Sequence, residues 1–236
     1  MTETEFLQSH TILTDEVENA LWSLYIYIDM DKFADTHSLA LLRMNQHPEF
    51  WLSIRHAQQT NFMVTLGRVF DTDHRSHSIH RLLKEMTKHL EYFTRDAFAN
   101  RRRALSPGAE PEYLADYLKD VFEMDRTTLE TFESALRPMS DKYKQNFAPI
   151  RHKLFAHRDT LDRADINALV SKGLIVDLEE ILHFLHDLLA CISQLIHDGR
   201  KPELGRGVYD YKARAKKATE GAMRRLLDVQ TSPESV

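Results

Sequence analysis

The chain has 236 residues, of which 28% are charged, and a formal charge of −5 at pH 7. That length is enough to bury a core, and the acidic balance excludes a global field that would draw the protein onto nucleic acid or an anionic membrane, so phosphate contacts must come from local basic clusters. A single cysteine, Cys191, excludes an intrachain disulfide, and a reducing cytoplasm is the simplest context for it.

The first nine residues are polar and acidic, unlike an export signal. No window approaches the roughly 20 apolar residues that cross a bilayer. An intracellular protein without a membrane partner is expected. Thr14, followed by Asp15 and Glu16, has the form of a helix start. Val17, Leu21, Leu24 and Ile28 then recur at helical spacing to about Phe33. A short apolar turn from Ser38 to Arg43 follows. Pro48 suits the first position of a helix carrying Trp51, Ile54, Phe62, Leu66 and Val69 to the Asp71-Thr72-Asp73 break.

From Ser78 to about Arg103, Ile79, Leu82, Leu83, Met86 and Leu90 form one stripe, with a bend or break expected around Tyr92 to Thr94. Residues 104–111, with Ser106-Pro107-Gly108, read as a loop inside a single domain of residues 1–236. Periodicity resumes from Pro111 through Tyr113, Leu114, Tyr117, Leu118, Val121 and Phe122, then Leu129 and Phe132, and stops before Pro138. Ser140 is a candidate cap for a further helix, which Pro149 either kinks or restarts.

Asp162 to Lys172 reads as a short helix ended by Gly173. Asp177 and Glu180 resemble a capping box for the most apolar helix, which Gly199 and Pro202 end. A basic helix from about Tyr209 to Leu227 precedes a tail, 229–236, expected to be flexible. The pattern is all-α throughout.

The most chemically informative stretch is Arg151-His152-Lys153-Leu154-Phe155-Ala156-His157-Arg158-Asp159. Arginine stays charged and forks onto phosphate oxygens, and histidine moves protons near neutral pH. An RNA 2′-hydroxyl can attack its own phosphodiester without a metal. His157 would carry the proton, Arg151 would grip the phosphorane-like transition state, and His152 would position either or act as a second proton carrier. On a straight helix, six positions leave Arg151 and His157 about 120° apart. Two copies meeting across a two-fold axis would complete one cleft, so a homodimer through the motif helices is expected. The bland alternative is a surface ion pair for Arg151 and a helix-closing role for His157.

This stretch resembles the signature of the HEPN superfamily: an arginine, a polar residue directly after it, and a histidine within a few positions. More narrowly it is similar to the AbiU-like abortive-infection branch, in which a lysine and an alanine-histidine pair follow in the same order. Asn45, Phe50-Trp51, Ala57, the run Leu66-Gly67-Arg68-Val69-Phe70-Asp71, and Ser78-Ile79 with Leu82-Leu83 resemble that branch's N-terminal helices. The resemblance implies a HEPN-like helical bundle, here with additional N- and C-terminal helices, and frequent dimerisation. In many members it also implies metal-independent endoribonuclease activity in phage defence or toxin systems, with a possible antitoxin or defence-system partner. By position, Arg151 and His157 match the catalytic pair. His152 stands at the variable polar position, where asparagine or aspartate is more usual. Asp159 replaces the tyrosine that some members carry, so antitoxin control by modification of that tyrosine is not implied.

Arg101, Arg102, Arg103, Lys153, Arg158, Lys212, Lys216 and Lys217 are candidate RNA-backbone contacts; a solvated basic face is the plainer reading. Tyr209 and Tyr211 would stack on bases or dock the last helix. His74, His77 and His80, and separately His183 and His186, are spaced at three residues, but neither set specifies a zinc geometry. No metal or cofactor is expected. Asp71 and Asp73 suit turn chemistry, and Trp22 and Trp51 suit the core. The sequence therefore points to a RNA-cleaving enzyme, with a catalytically silent interaction or RNA-binding protein of the same fold as the rival and a metal-dependent hydrolase as a distant third.

Overall fold

The structure, a computed structural model, describes residues 1–73, 75–106, 108, 110–151, 172–205 and 210–229. Among these residues are ten α-helices and no strand. Helix α1 is the longest, Glu3–Thr36, and begins well before Thr14. Thr2 and Glu5 form a reciprocal capping box: the Thr2 amide donates to the Glu5 carboxylate at 2.8 Å and the Glu5 amide to the Thr2 hydroxyl at 3.3 Å. Thr14 lies inside the helix, and its hydroxyl donates to the His10 carbonyl. The apolar stripe begins earlier than Val17, because Phe6 and Leu13 are already fully buried.

Helix α2 spans Ser38–Met44 and α3 spans Pro48–Val69, with Pro48 in the first turn as expected. Helix α4, Ile79–Lys88, is capped by the Ser78 hydroxyl on the Arg81 amide. The break falls at a 3₁₀ turn, Leu90–Phe93, before α5, Arg95–Ala104. Only one turn of helix, α6 (Leu114–Tyr117), forms in the region read as periodic from Tyr113 to Phe122, followed by a 3₁₀ turn to Asp120.

Helix α7 is Arg126–Asn146, capped by the Asp125 side chain, and runs straight through Pro138. An interior proline costs roughly 3 kcal/mol, but Leu129, Phe132, Leu136 and Tyr143 make one buried face across it. Ser140 is therefore an interior, buried residue and caps nothing. After Phe147 the short helix α8, Ala148–Arg151, carries Pro149 in its first turn, where the missing N–H is harmless.

Helix α9 is Lys172–Asp198. It starts five residues before Asp177, so Asp177 and Glu180 serve as side-chain anchors. Lys142 lies 3.1 Å from Asp177 and also pairs with Glu180, and the Asn146 amide donates to Asp177 at 2.9 Å. Gly199 ends α9 in the left-handed region at φ +56°, and a β-carbon there would stand 2.9 Å from Val121. Helix α10, Tyr211–Val229, is the basic one. The short helix expected over Asp162 to Lys172, Tyr209 and most of the 229–236 tail lie outside the described residues.

The core is built around α1, which packs against α3, α9 and α10. Leu13, Val17, Leu21 and Leu24 meet Leu66 and Val69 of α3 and the apolar face of α9 from Leu178 to Ile196, with Cys191 buried among them. Trp22 packs at the edge of this core. Trp51 belongs to a separate small cluster with Phe33, Ala40, Met44 and Met223. Among the described residues, no helix is long and apolar enough to cross a membrane.

Candidate functional site

Arg151 is placed by the residues just before it. Phe147 and Ile150 are buried in the main core, and the Arg151 amide donates to the Phe147 carbonyl at 2.9 Å. One turn of α8 thus holds the arginine against α3. There it lies directly over Gly67: a β-carbon on Gly67 would stand 2.0 Å from Nε and 2.4 Å from both Cδ and Cζ of Arg151. The guanidinium rests on bare helix backbone while Arg151 remains partly exposed.

Tyr143, two turns earlier on α7, closes the other side. Its ring stacks on Phe70 at 4.7 Å and 12°, and Phe70 in turn meets the His80 ring at 6.1 Å. Burial pushes the Tyr143 hydroxyl above its usual pKa; the charge and hydrogen bonding of Arg151 pull it down, and Asp71 pushes it up. Arginine, phenol and carboxylate therefore act on one another across the junction of α3, α7 and α8. Asp71 also accepts from the Asp73 amide at 3.0 Å, and Asp73 accepts from the Arg75 amide at 2.9 Å, the turn chemistry expected of this pair. His80 is half-buried; desolvation lowers its pKa first, and Lys144 lowers it further.

His152, Lys153, His157 and Arg158 lie outside the described residues, as does His74. What is described is the arginine half of the motif and its support. Tyr143, Phe70, Asp71 and His80 were not identified as partners of Arg151 from sequence. Gly67 carried a signal: a glycine inside a helix is disfavoured by about 1 kcal/mol relative to alanine, so its presence asks for a close neighbour.

The arginine triplet is engaged within the chain. Arg101 pairs with Glu3 and donates to the carbonyls of Tyr92 at 2.8 Å and Ile196 at 3.0 Å. Arg102 donates to the His197 carbonyl, lies 3.6 Å from Asp198 and sits over the Phe98 ring. Arg103 forks onto Glu110 at 2.9 and 2.7 Å. Arg101 and Arg102 thereby satisfy carbonyls at the negative C-terminal end of α9. On α10, Lys212 pairs with Glu179 at 3.2 Å and Lys216 approaches Glu220 at 3.8 Å, both exposed, while Lys217 is exposed with no partner among the described residues. Tyr211 is buried against Trp22 and His186 and docks α10.

The remaining histidines have separate partners. His77 bonds the Ser9 hydroxyl at 3.0 Å, His183 meets the Tyr25 hydroxyl at 2.5 Å, and His186 lies within 3.9 Å of Glu18 and 3.8 Å of Asp187. Among the described residues, no three histidine, cysteine or carboxylate side chains gather as a metal ion would require.

No curated protein and no solved structure matches the chain. A protein-family model described as AbiU2, of the HEPN class, matches residues 4–213. That span takes in α1 through α9, the Gly67 platform and the whole arginine and histidine motif, and the chain belongs to the AbiU2 family of abortive-infection-associated HEPN domains.

Proposed function

We propose that this protein is a metal-independent endoribonuclease acting in phage defence or a toxin system in the cytoplasm. The observation that supports this most is Arg151, a partly exposed residue whose guanidinium is held on a platform that only glycine permits, where the sequence resembles the HEPN motif's arginine. In the proposed reaction the RNA 2′-oxygen bonds to the adjacent phosphorus as the bond to the 5′-oxygen breaks. The products are a 2′,3′-cyclic phosphate and a 5′-hydroxyl. His157 takes the 2′ proton or protonates the leaving oxygen, and His152 supplies the complementary proton transfer or positions it. Arg151 offsets the extra negative charge on phosphorus. A two-fold homodimer through the motif helices brings two such sets into one crevice. Lys153, Arg158, Lys212, Lys216 and Lys217 hold the backbone without reading its sequence. An antitoxin or other defence protein would act by covering that crevice.

The rival reading is a catalytically silent interaction protein of the same fold. The contacts of Arg151 with Tyr143 and the α3 backbone favour it to the extent that they serve packing alone. The two readings separate when the purified protein is incubated with RNA and a chelator beside Arg151→Ala and His157→Ala. Cleavage to cyclic-phosphate ends that both substitutions abolish supports the nuclease. Cleavage that survives both rejects the site, and RNA left intact by all three proteins supports the interaction role.

A further inference from the structure

Helix α2 has the composition of a core helix in an exposed place. Ala40 and Met44 face the small cluster with Phe33, Trp51 and Met223, whereas Leu39, Leu41 and Leu42 are 49%, 44% and 59% exposed. Phe50 and Leu52, at the start of α3, are 59% and 51% exposed. An aliphatic or aromatic side chain left in water forgoes the gain of burial, and exposure clustered in this way marks an interaction surface. Between these helices and the end of α1 runs a groove of about 430 Å³.

The charge of that groove selects its occupant. Arg55, the one cation lining it among the described residues, is already bonded to Asp31 at 2.9 Å and to the Tyr27 hydroxyl at 3.2 Å. Asp35, on the exposed lip, has no hydrogen bond or ion pair among the described residues. An apolar trough with one surplus carboxylate repels phosphate, which disfavours RNA and anionic lipid. A two-fold pairing of this groove with itself would add a second surplus carboxylate and, among the described lining residues, no cation that is not already bonded. We infer that the α2–α3 groove is a docking site for another protein's amphipathic helix, one that inserts aliphatic anchors between α2 and α3 and pairs a lysine or arginine with Asp35. The groove lies at the opposite end of α3 from Gly67, about 25 Å along the helix at 1.5 Å per residue. It is thus remote from Arg151.

The test uses the full chain and two synthetic helical peptides of about 16 residues. They share one leucine stripe and are flanked by lysine in one and by glutamate in the other. Fluorescence anisotropy is expected to show the lysine peptide binding about tenfold more tightly. Asp35→Lys is expected to reverse that preference, and the pair Leu41→Ser, Leu52→Ser, both lining the groove, to weaken both peptides at least about tenfold without moving the melting temperature. Absence of binding, equal affinity for the two peptides, or a lysine preference that survives Asp35→Lys would overturn the inference. So would a dimer in sedimentation equilibrium that the Leu41/Leu52 pair dissolves, which would assign the face to a second copy. Binding to phosphatidylglycerol vesicles that is lost in the same pair would assign it to a membrane.

Discussion

The guanidinium of Arg151 occupies the volume that a side chain at Gly67 would need, and the three atoms nearest to that position all belong to the arginine. Gly67→Ala is therefore expected to push Arg151 off its platform by an ångström or more. Displacement on that scale costs on the order of 100-fold in rate at a positioned catalytic group, and overpacking costs about 1–3 kcal/mol of stability. Single-turnover cleavage and thermal melts of Gly67→Ala, Arg151→Ala and the double variant measure both. In the Arg151→Ala background the added methyl meets no guanidinium, so it should bring no further loss of rate or stability; fully additive losses would show that the contact is not what matters.

Tyr143→Phe keeps the stack on Phe70 and removes the hydroxyl that faces Arg151. Stability should change by about 1 kcal/mol or less. Cleavage should fall about tenfold through the rate at saturating RNA, with the concentration for half-saturation nearly unchanged. A fall carried wholly by weaker RNA binding would assign Tyr143 to the substrate instead of the arginine.

Basic residues that look alike in the sequence should respond differently. Arg101 is largely buried among Glu3 and two carbonyls, and Arg101→Ala is expected to destabilise the fold by about 3 kcal/mol by leaving those groups unpaired. Lys217 is exposed on α10. Its replacement should leave the melting temperature unchanged and reduce the slope of log affinity for RNA against log salt by about one. Denaturant unfolding and salt-dependent binding of the two variants make the comparison.

Stability should fall in mild acid. His10 is buried, and desolvation, the largest influence, lowers its pKa while its bond to the Leu189 carbonyl raises it. His80, His186 and His197 are also lowered, in each case chiefly by burial. A group with a depressed folded pKa binds its proton in the unfolded chain first. Stability is therefore full above the unfolded value near 6.5 and declines as pH falls below it, by up to about 1.4 kcal/mol per unit for each such group, until the folded pKa is crossed. Urea midpoints between about pH 7.5 and 5.5 should drop accordingly. His10→Gln, which keeps a donor for Leu189, should flatten the decline.

Helix positions were readable wherever a cap or a break coincided with the end of an apolar stripe, as at Pro48, Ser78 and Gly199. They were misread where burial overrode local chemistry. Pro138 and Ser140 looked like an end and a start, yet the face formed by Leu129, Phe132, Leu136 and Tyr143 continues across them. Asp177 and Glu180 looked like a cap because their partner, Lys142, is distant in sequence. The site divides in the same way. Arg151 stood out by its motif, whereas Gly67 was named only within a run that resembles the family, without the close approach that its lack of a side chain allows. Tyr143, Phe70 and Asp71 are ordinary helix-end residues whose relation to Arg151 exists only once α3 and α7 are packed together. The arginine triplet has the composition of a nucleic-acid patch, and its contacts at the end of α9 depend on a fold that brings residue 101 to residue 196.

The first helix of the chain draws much of its cover from the last two. Leu13, Val17, Leu21 and Leu24 can meet α3 early but keep one side uncovered until α9 and α10 have been made, so the core cannot close on a growing chain that stops before Lys172. Pairings so remote in sequence are slow to form. A polypeptide ordered this way completes its core only once the helix from Tyr211 to Val229 has been made.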